Sequence, residues 1–152
     1  MERSIVIDAP RERVWKALTT AETFGTWFGA DLQGETFAVG KRTRGRIRMA
    51  GLEHVWFDVL VERMEAPSLF VWRWHPYAID PETDYSTETP TQVSIRLDDA
   101  PGNATRVQVT ESGFDALPRH RWSDAFRANN NGWDFQLDNL TRHVATQNRT
   151  PA

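Results

Sequence analysis

The sequence predicts an α+β fold in which a curved antiparallel sheet of about six to seven strands wraps a long C-terminal helix, with two short helices after the first strand. Three observations predict it. Between about Pro118 and Val144, the large apolar residues Trp122, Phe126, Trp133, Leu137, Leu140 and Val144 recur at a three-to-four spacing, one stripe on an α-helix. From Glu35 to Ser112 the apolar period is two, interrupted by turn-forming clusters, the pattern of strands with one dry face. A β-rich start and a bent helical stretch, Asp8 to Gly29, precede them. With 152 residues and no linker composition, the chain reads as one domain over residues 1–146 with a polar tail at 147–152.

Ser4 to Asp8 is the first strand. Asp8 then serves as a helix cap with Pro10 in the first turn, and Val14, Trp15 and Leu18 form the buried stripe. Ala21 to Phe28 is a second short helix, ended by a bend because Gly25 and Gly29 bracket Trp27-Phe28. Phe37 and Val39 open the alternating region. The run Lys41 to Met49 places Arg42, Arg44, Arg46 and Arg48 on one face and Thr43, Gly45, Ile47 and Met49 on the other. An arginine row is either an anion or nucleic-acid site or a solvated outer face partnered by acids such as Glu62. The lack of interleaved aromatic residues and the net charge of −3 favour the second.

His54 to Met64 and Leu69 to Trp74 are paired strands joined by a turn at Glu65-Ala-Pro-Ser68, with Phe70, Trp72 and Trp74 on one face. His75 to Pro90, acidic and aperiodic, is a mobile loop. Thr91 to Leu97 and Ala104 to Ser112 form another hairpin, in which Glu111 is an acid on the dry face beside Thr105, Val107 and Val109. In the final helix, Asn129-Asn-Asn-Gly132 are poor helix formers. Either the helix breaks there, or the sheet holds it, with Gly132 allowing close approach of the two backbones.

Composition excludes several functions. The absence of Cys removes disulfides, thiol catalysis and Cys-based zinc sites. The charged opening MERSIVIDAPRERVW is no signal peptide, and no apolar run nears the roughly 18 residues of a membrane span. A cytoplasmic protein without nucleic-acid or membrane partners is expected. His54, His75, His120 and His143 have no metal-site spacing, and there is no phosphate loop, dinucleotide fingerprint or nucleophile elbow, so neither cofactor nor metal is expected. Glu111 near Asn129 is a candidate buried acid of the catalytic kind; pairing with an arginine is the alternative. Seven Trp and eight Phe are a heavy load for one small core. A cupped sheet under a long helix leaves room for a small-molecule pocket of roughly 300–1,000 Å³. The expected walls are Trp27, Trp56 or Phe57, Phe70, Trp72, Trp74, Val93, Ile95, Val109, Phe126 and Trp133, with Glu111 and Asn129 as polar anchors. The bland alternative is that the rings simply fill the core.

Val6-Ile7-Asp8-Ala9-Pro10, Val14-Trp15, Trp27-Phe28, Leu69-Phe-Val-Trp-Arg-Trp74, Thr105-Arg-Val-Gln-Val-Thr-Glu-Ser-Gly-Phe114 and Gly132-Trp133 with Leu137 and Leu140, in that order and spacing, resemble the SRPBCC (START-like) superfamily. Within it they resemble the branch named for activators of the heat-shock chaperone ATPase, the AHSA type. The resemblance spans nearly the whole chain and implies a helix-grip, birch-pollen-allergen-like fold around a hydrophobic cavity. It brings no catalytic residues, and the long acidic loop departs from the pattern. Three functions follow as expectations: binding of a small hydrophobic or aromatic molecule, a cyclase- or aromatase-like enzyme using the same cavity, and a co-chaperone-like interaction domain. Glu111→Gln separates the first two, and an apolar patch outside the cavity would favour the third. A homodimer is a further partner to test.

Overall fold

The computed structural model describes residues 1–146 in full and the backbone of 147 and 148. The chain runs β1 (Glu2–Ile7), α1 (Arg11–Thr19), α2 (Ala21–Phe28), β2 (Arg42–Arg46), β3 (Trp56–Glu65), β4 (Leu69–Trp74), β5 (Thr91–Ala100), β6 (Ala104–Ser112), a short 3₁₀ turn at Phe114–Ala116, and α3 (Arg119–Asn148). The six strands form one antiparallel sheet in the order β1-β6-β5-β4-β3-β2, curved under α3, which is the helix-grip fold. No described helix is long and apolar enough to cross a membrane. α3 runs through Asn148, past the expected start of the tail; the rest of that tail lies outside the described residues.

Alternation sets the faces. Thr43 and Gly45 of β2, Phe57, Val59 and Val61 of β3, and Val93, Ile95 and Leu97 of β5 face the helices and are buried. In α3, Trp133, Leu137, Leu140 and Val144 of the predicted stripe are buried, Trp122 and Phe126 at its start are exposed, and the helix passes unbroken through Asn129 to Gly132. Asp138 and Arg142 form the exposed i, i+4 pair at 3.5 Å. At the end of α2, Gly29 takes φ +94° and donates its N–H to the Gly25 carbonyl, the expected bend.

Four local expectations fail. The N-cap of α1 is Pro10, not Asp8. Residues 35–39 form no strand, because Phe37 leaves the sheet to plug the core against Phe24 and Phe70. Gly132 makes no close approach to the sheet: a Cβ there would meet nothing within 4 Å. The loop from His75 to Pro90 is tied down rather than free. Glu88 accepts from Arg121 of α3 in a pair whose side chains are each 10% exposed, and the same guanidinium donates to the Pro76 and Tyr77 carbonyls and lies over the Tyr85 ring.

Candidate functional site

Glu111 is the polar centre of the sheet–helix interface. The strand period turns it inward from β6, where no solvent reaches it, and three other elements deliver donors to its carboxyl group. Trp74, last residue of β4, donates its indole N–H to Oε2 at 2.8 Å, and Thr91, first residue of β5, donates its hydroxyl at 2.6 Å. From α3, Trp133 donates to Oε1 at 2.9 Å and Asn129 Nδ2 spans both oxygens at 2.9 and 3.0 Å. Asn129 and Trp133 are four residues apart and so share one helix face. Every partner is a neutral donor, so the alternative of an arginine pair does not hold. A carboxylate satisfied by four donors is tolerated in an apolar layer because none of its oxygens is left unpartnered.

Around this hub most rings pack on one another. Phe24, at the centre, lies edge to face with Trp27 at 4.7 Å and Trp72 at 5.9 Å, stacks on Phe28 at 4.9 Å and is tilted against Phe57 at 5.3 Å. The space is therefore largely filled, and what stays open is a cleft of about 140 Å³ where α3 passes the end of β4. Its walls are Phe28, Met49, Trp74, Trp133 and Phe135, with Asn129, Gly132 and Gln136 on the helix side. Gln136 donates to the Phe28 carbonyl at 2.8 Å and closes one end. Asn129 spends its amide N–H groups on Glu111, and its Oδ1 takes no hydrogen bond from a described residue.

Of the residues expected to line a chamber, Trp74, Asn129 and Trp133 border this cleft. Trp27, Phe70, Trp72, Val93, Ile95 and Val109 are buried in the core behind it, Trp27 donating its indole N–H to the Ala17 carbonyl at 2.9 Å. Trp56 faces the other way. In β3 the inward position belongs to Phe57, and Trp56 lies on the outer face under the guanidinium groups of Arg44 and Arg46, 4.4 and 4.3 Å from its ring centre. Phe126 packs on Phe114 at 5.4 Å beyond the sheet's rim. Phe28, Met49, Phe135 and Gln136 were not foreseen; the only sequence signal for any of them was the glycine bracket around Trp27-Phe28.

The outer face of the sheet is a lattice of ion pairs. Asp58, rather than Glu62, serves Arg42 and Arg44 of the arginine row. Glu62 is held below the ordinary carboxylate range first by the Gln92 amide and then by Arg73. Among the described residues no cluster of His, Cys, Asp or Glu could hold a metal ion.

This architecture has relatives. DynU16, a putative protein of the dynemicin biosynthetic locus, superposes with a TM-score of 0.71 at 22% identity over 97% of this chain, which spans 47% of DynU16. The Aha1 dimer from Colwellia psychrerythraea gives 0.68 at 22% identity, covering 95% and 94% of the two chains. MLL2253 from Mesorhizobium loti gives 0.63 at 21% identity over the full length of both. None of the curated proteins compared matches the chain. The model of the Activator of Hsp90 ATPase homolog 1-like protein family matches residues 8–145, and with nearly the whole domain inside that match the chain belongs to this family.

Proposed function

We propose that the protein binds a small, flat, largely apolar molecule in the cleft between α3 and the end of β4. The observation that carries this reading is the cleft itself: about 140 Å³ walled by five apolar side chains, with one unengaged acceptor, Asn129 Oδ1, at its edge. That volume suits a compound of one or two rings, and the acceptor suits a hydroxyl or N–H on it. Glu111 holds Trp74 and Trp133 in place as walls. Its buried oxygens are already occupied by protein donors, which supports binding over turnover. A cytoplasmic location fits this role.

Titration with phenol and with indole, followed by native mass spectrometry and by the Trp133 and Trp74 indole N–H resonances, tests it. Saturable shifts confined to those rings and Asn129 are expected, abolished by Gly132→Leu, whose side chain projects into the cleft. Shifts unaffected by that variant, or none up to the solubility of the probes, overturn the reading.

A second reading is favoured by a different observation. Trp122 and Tyr77 are 43% and 39% exposed, and Phe126, on the same stripe of α3 as Trp122, is 36% exposed. These rings lie outside the cleft and suit a protein-interaction domain that stimulates a heat-shock chaperone ATPase, as the family's name suggests. ATPase assays of the host's own chaperone with the protein and with Trp122→Ala/Phe126→Ala decide it, and light scattering of the same samples tests for a homodimer.

A further inference from the structure

The two edges of the sheet differ. β2 is sealed: the Asp31 N–H donates to the Arg46 carbonyl at 2.8 Å, the Arg48 N–H donates to the Gly29 carbonyl at 2.8 Å, and Ala30 bridges Ile47. β1, at the other edge, is bare. The Met1 amino group donates to the Glu111 carbonyl at 2.9 Å and the Glu111 N–H to the Met1 carbonyl at 3.0 Å. By antiparallel alternation Arg3, Ile5 and Ile7 therefore also face β6, while the N–H and C=O groups of Glu2, Ser4 and Val6 face outward. Apart from the Glu2 carbonyl, which accepts from Arg3 Nη1 at 3.0 Å, these outward groups hydrogen-bond to no described residue.

Free edges of native sheets are blunted by proline, a bulge or an uncompensated charge. β1 contains no proline, its register with β6 is unbroken, and its Arg3 is neutralised by Asp134 at 2.7 Å. Val6, on the outer face, is 57% exposed. A groove of about 300 Å³ runs between this edge and α3, with Arg3, Ser4 and Ile5 on one side and Asp134, Leu137 and Asp138 on the other. The two elements advance in the same direction: Asp134 holds Arg3, and further along Arg13, just past β1, reaches the Val144 carbonyl. One helical turn spans about the length of two strand residues, so Asp138 stands beside Ile5 as Asp134 stands beside Arg3.

We propose that β1 pairs with β1 of a second copy of this chain, antiparallel about a two-fold axis at Ser4, joining the two sheets into one. This centring engages every outward group: Ser4 meets the partner's Ser4, and Glu2 meets the partner's Val6. On the helix side it sets the partner's Arg3 opposite Ile5 and within reach of Asp138, whose own pair with Arg142 is exposed and 3.5 Å long. On the outer face it sets Glu2 next to the partner's Val6 and, one strand further, the partner's Arg106; Arg106 has no ion pair among the described residues. Charges match on both faces and Val6 is covered, a self-complementarity that favours a second copy over an unrelated strand. The pairing uses no residue of the apolar cleft and does not depend on the ligand proposed there.

The test is sedimentation equilibrium of the full chain over a concentration series, with amide hydrogen exchange read at both ends of it. A monomer–dimer equilibrium is expected, in which the Glu2, Ser4 and Val6 amides exchange fast in the monomer and slowly in the dimer, whereas Arg3, Ile5 and Ile7 are protected throughout. Ser4→Pro removes an outward N–H and no bond to β6, so it should weaken the dimer at least tenfold with the β1–β6 ladder intact. Asp138→Lys should weaken it about tenfold by facing the partner's Arg3, and Asp124→Lys, the same charge change near the start of α3, should leave it unchanged. A chain that stays monomeric overturns the proposal, as does a dimer that survives Ser4→Pro or leaves the outward amides in fast exchange. Equal losses from the two lysine variants overturn it as general charge attraction. Protection of the outward amides only when polylysine is added, with the chain still monomeric, overturns the second copy and assigns the edge to a basic extended partner.

Discussion

Glu111→Gln puts the hub at risk in a way the geometry makes countable. The amide has one acceptor oxygen and an NH₂ that only donates, whereas the carboxyl group meets donors on both oxygens. If the new NH₂ replaces Oε1, Asn129 recovers by flipping its own amide, but Trp133 is left facing a donor. If it replaces Oε2, the Thr91 hydroxyl rotates to accept and Trp74 is stranded. Either way one buried indole N–H loses its partner, at about 1–3 kcal/mol, and the remaining bonds lose charge assistance. A total near 2–4 kcal/mol lowers Tm by about 5–12 °C for a chain of this size. Calorimetry gives the shift, and NMR of the indole N–H protons shows which ring was released: one of the two resonances should move upfield and exchange faster. A variant melting within about 1 °C of the parent, with both resonances in place, would refute the claim that this carboxyl group ties the two rings.

Other perturbations have equally definite outcomes. Arg121→Ala removes the cation that Glu88 faces in a nearly closed environment and frees the Pro76 and Tyr77 carbonyls, so a loss of about 3 kcal/mol is expected. Hydrogen exchange should locate that loss in residues 76–88, leaving the sheet protected. Gly132→Ala should raise stability by about 0.5–1 kcal/mol, since the methyl meets open space and the helix loses its glycine; a lower denaturation midpoint would contradict the cleft. Burial holds His143 below its ordinary value of 6.5, so the unfolded chain takes up this proton first as pH falls. Stability from this group is therefore lost from about pH 6.5 down to the folded-state value and is flat below it. His143→Phe should remove that part of the slope in urea midpoints measured between about pH 5 and 8.

The fold was legible because it rests on periodicity. The stripe Trp133, Leu137, Leu140 and Val144 and the alternation in β5 and β6 each specify which side is dry, and the structure buries those sides. The inward turn of Glu111 followed from the same rule. Phe37 was misassigned because two alternating residues do not distinguish a strand from a loop that drops one ring into the core. For Trp56 and Phe57 the pattern left a choice of one residue, and in a strand a one-residue slip exchanges the faces.

What could not be read was the site's free volume. It depends on how far α3 is rotated about its own axis where it crosses β4, which is decided by partners distant in sequence. Gln136 anchored to the Phe28 carbonyl and Trp133 to Glu111, about 60° apart around the helix, fix that rotation. Gly132, next to Gln136 on the side away from Trp133, borders the cleft instead of the strands. The glycine that sequence reasoning assigned to tight packing thus becomes the reason space remains. The same rotation carries Asn129 over the hub, so the acceptor at the cleft's edge and the donor that completes Glu111 belong to one side chain. A ligand that engages Asn129 Oδ1 would therefore be sensed at Glu111 and, through it, at both tryptophans. Asn129→Asp reverses the polarity of that link by setting a second carboxyl group against the first. It should weaken phenol binding and displace both indole resonances together, whereas an effect on binding alone would mean that cleft and hub are independent.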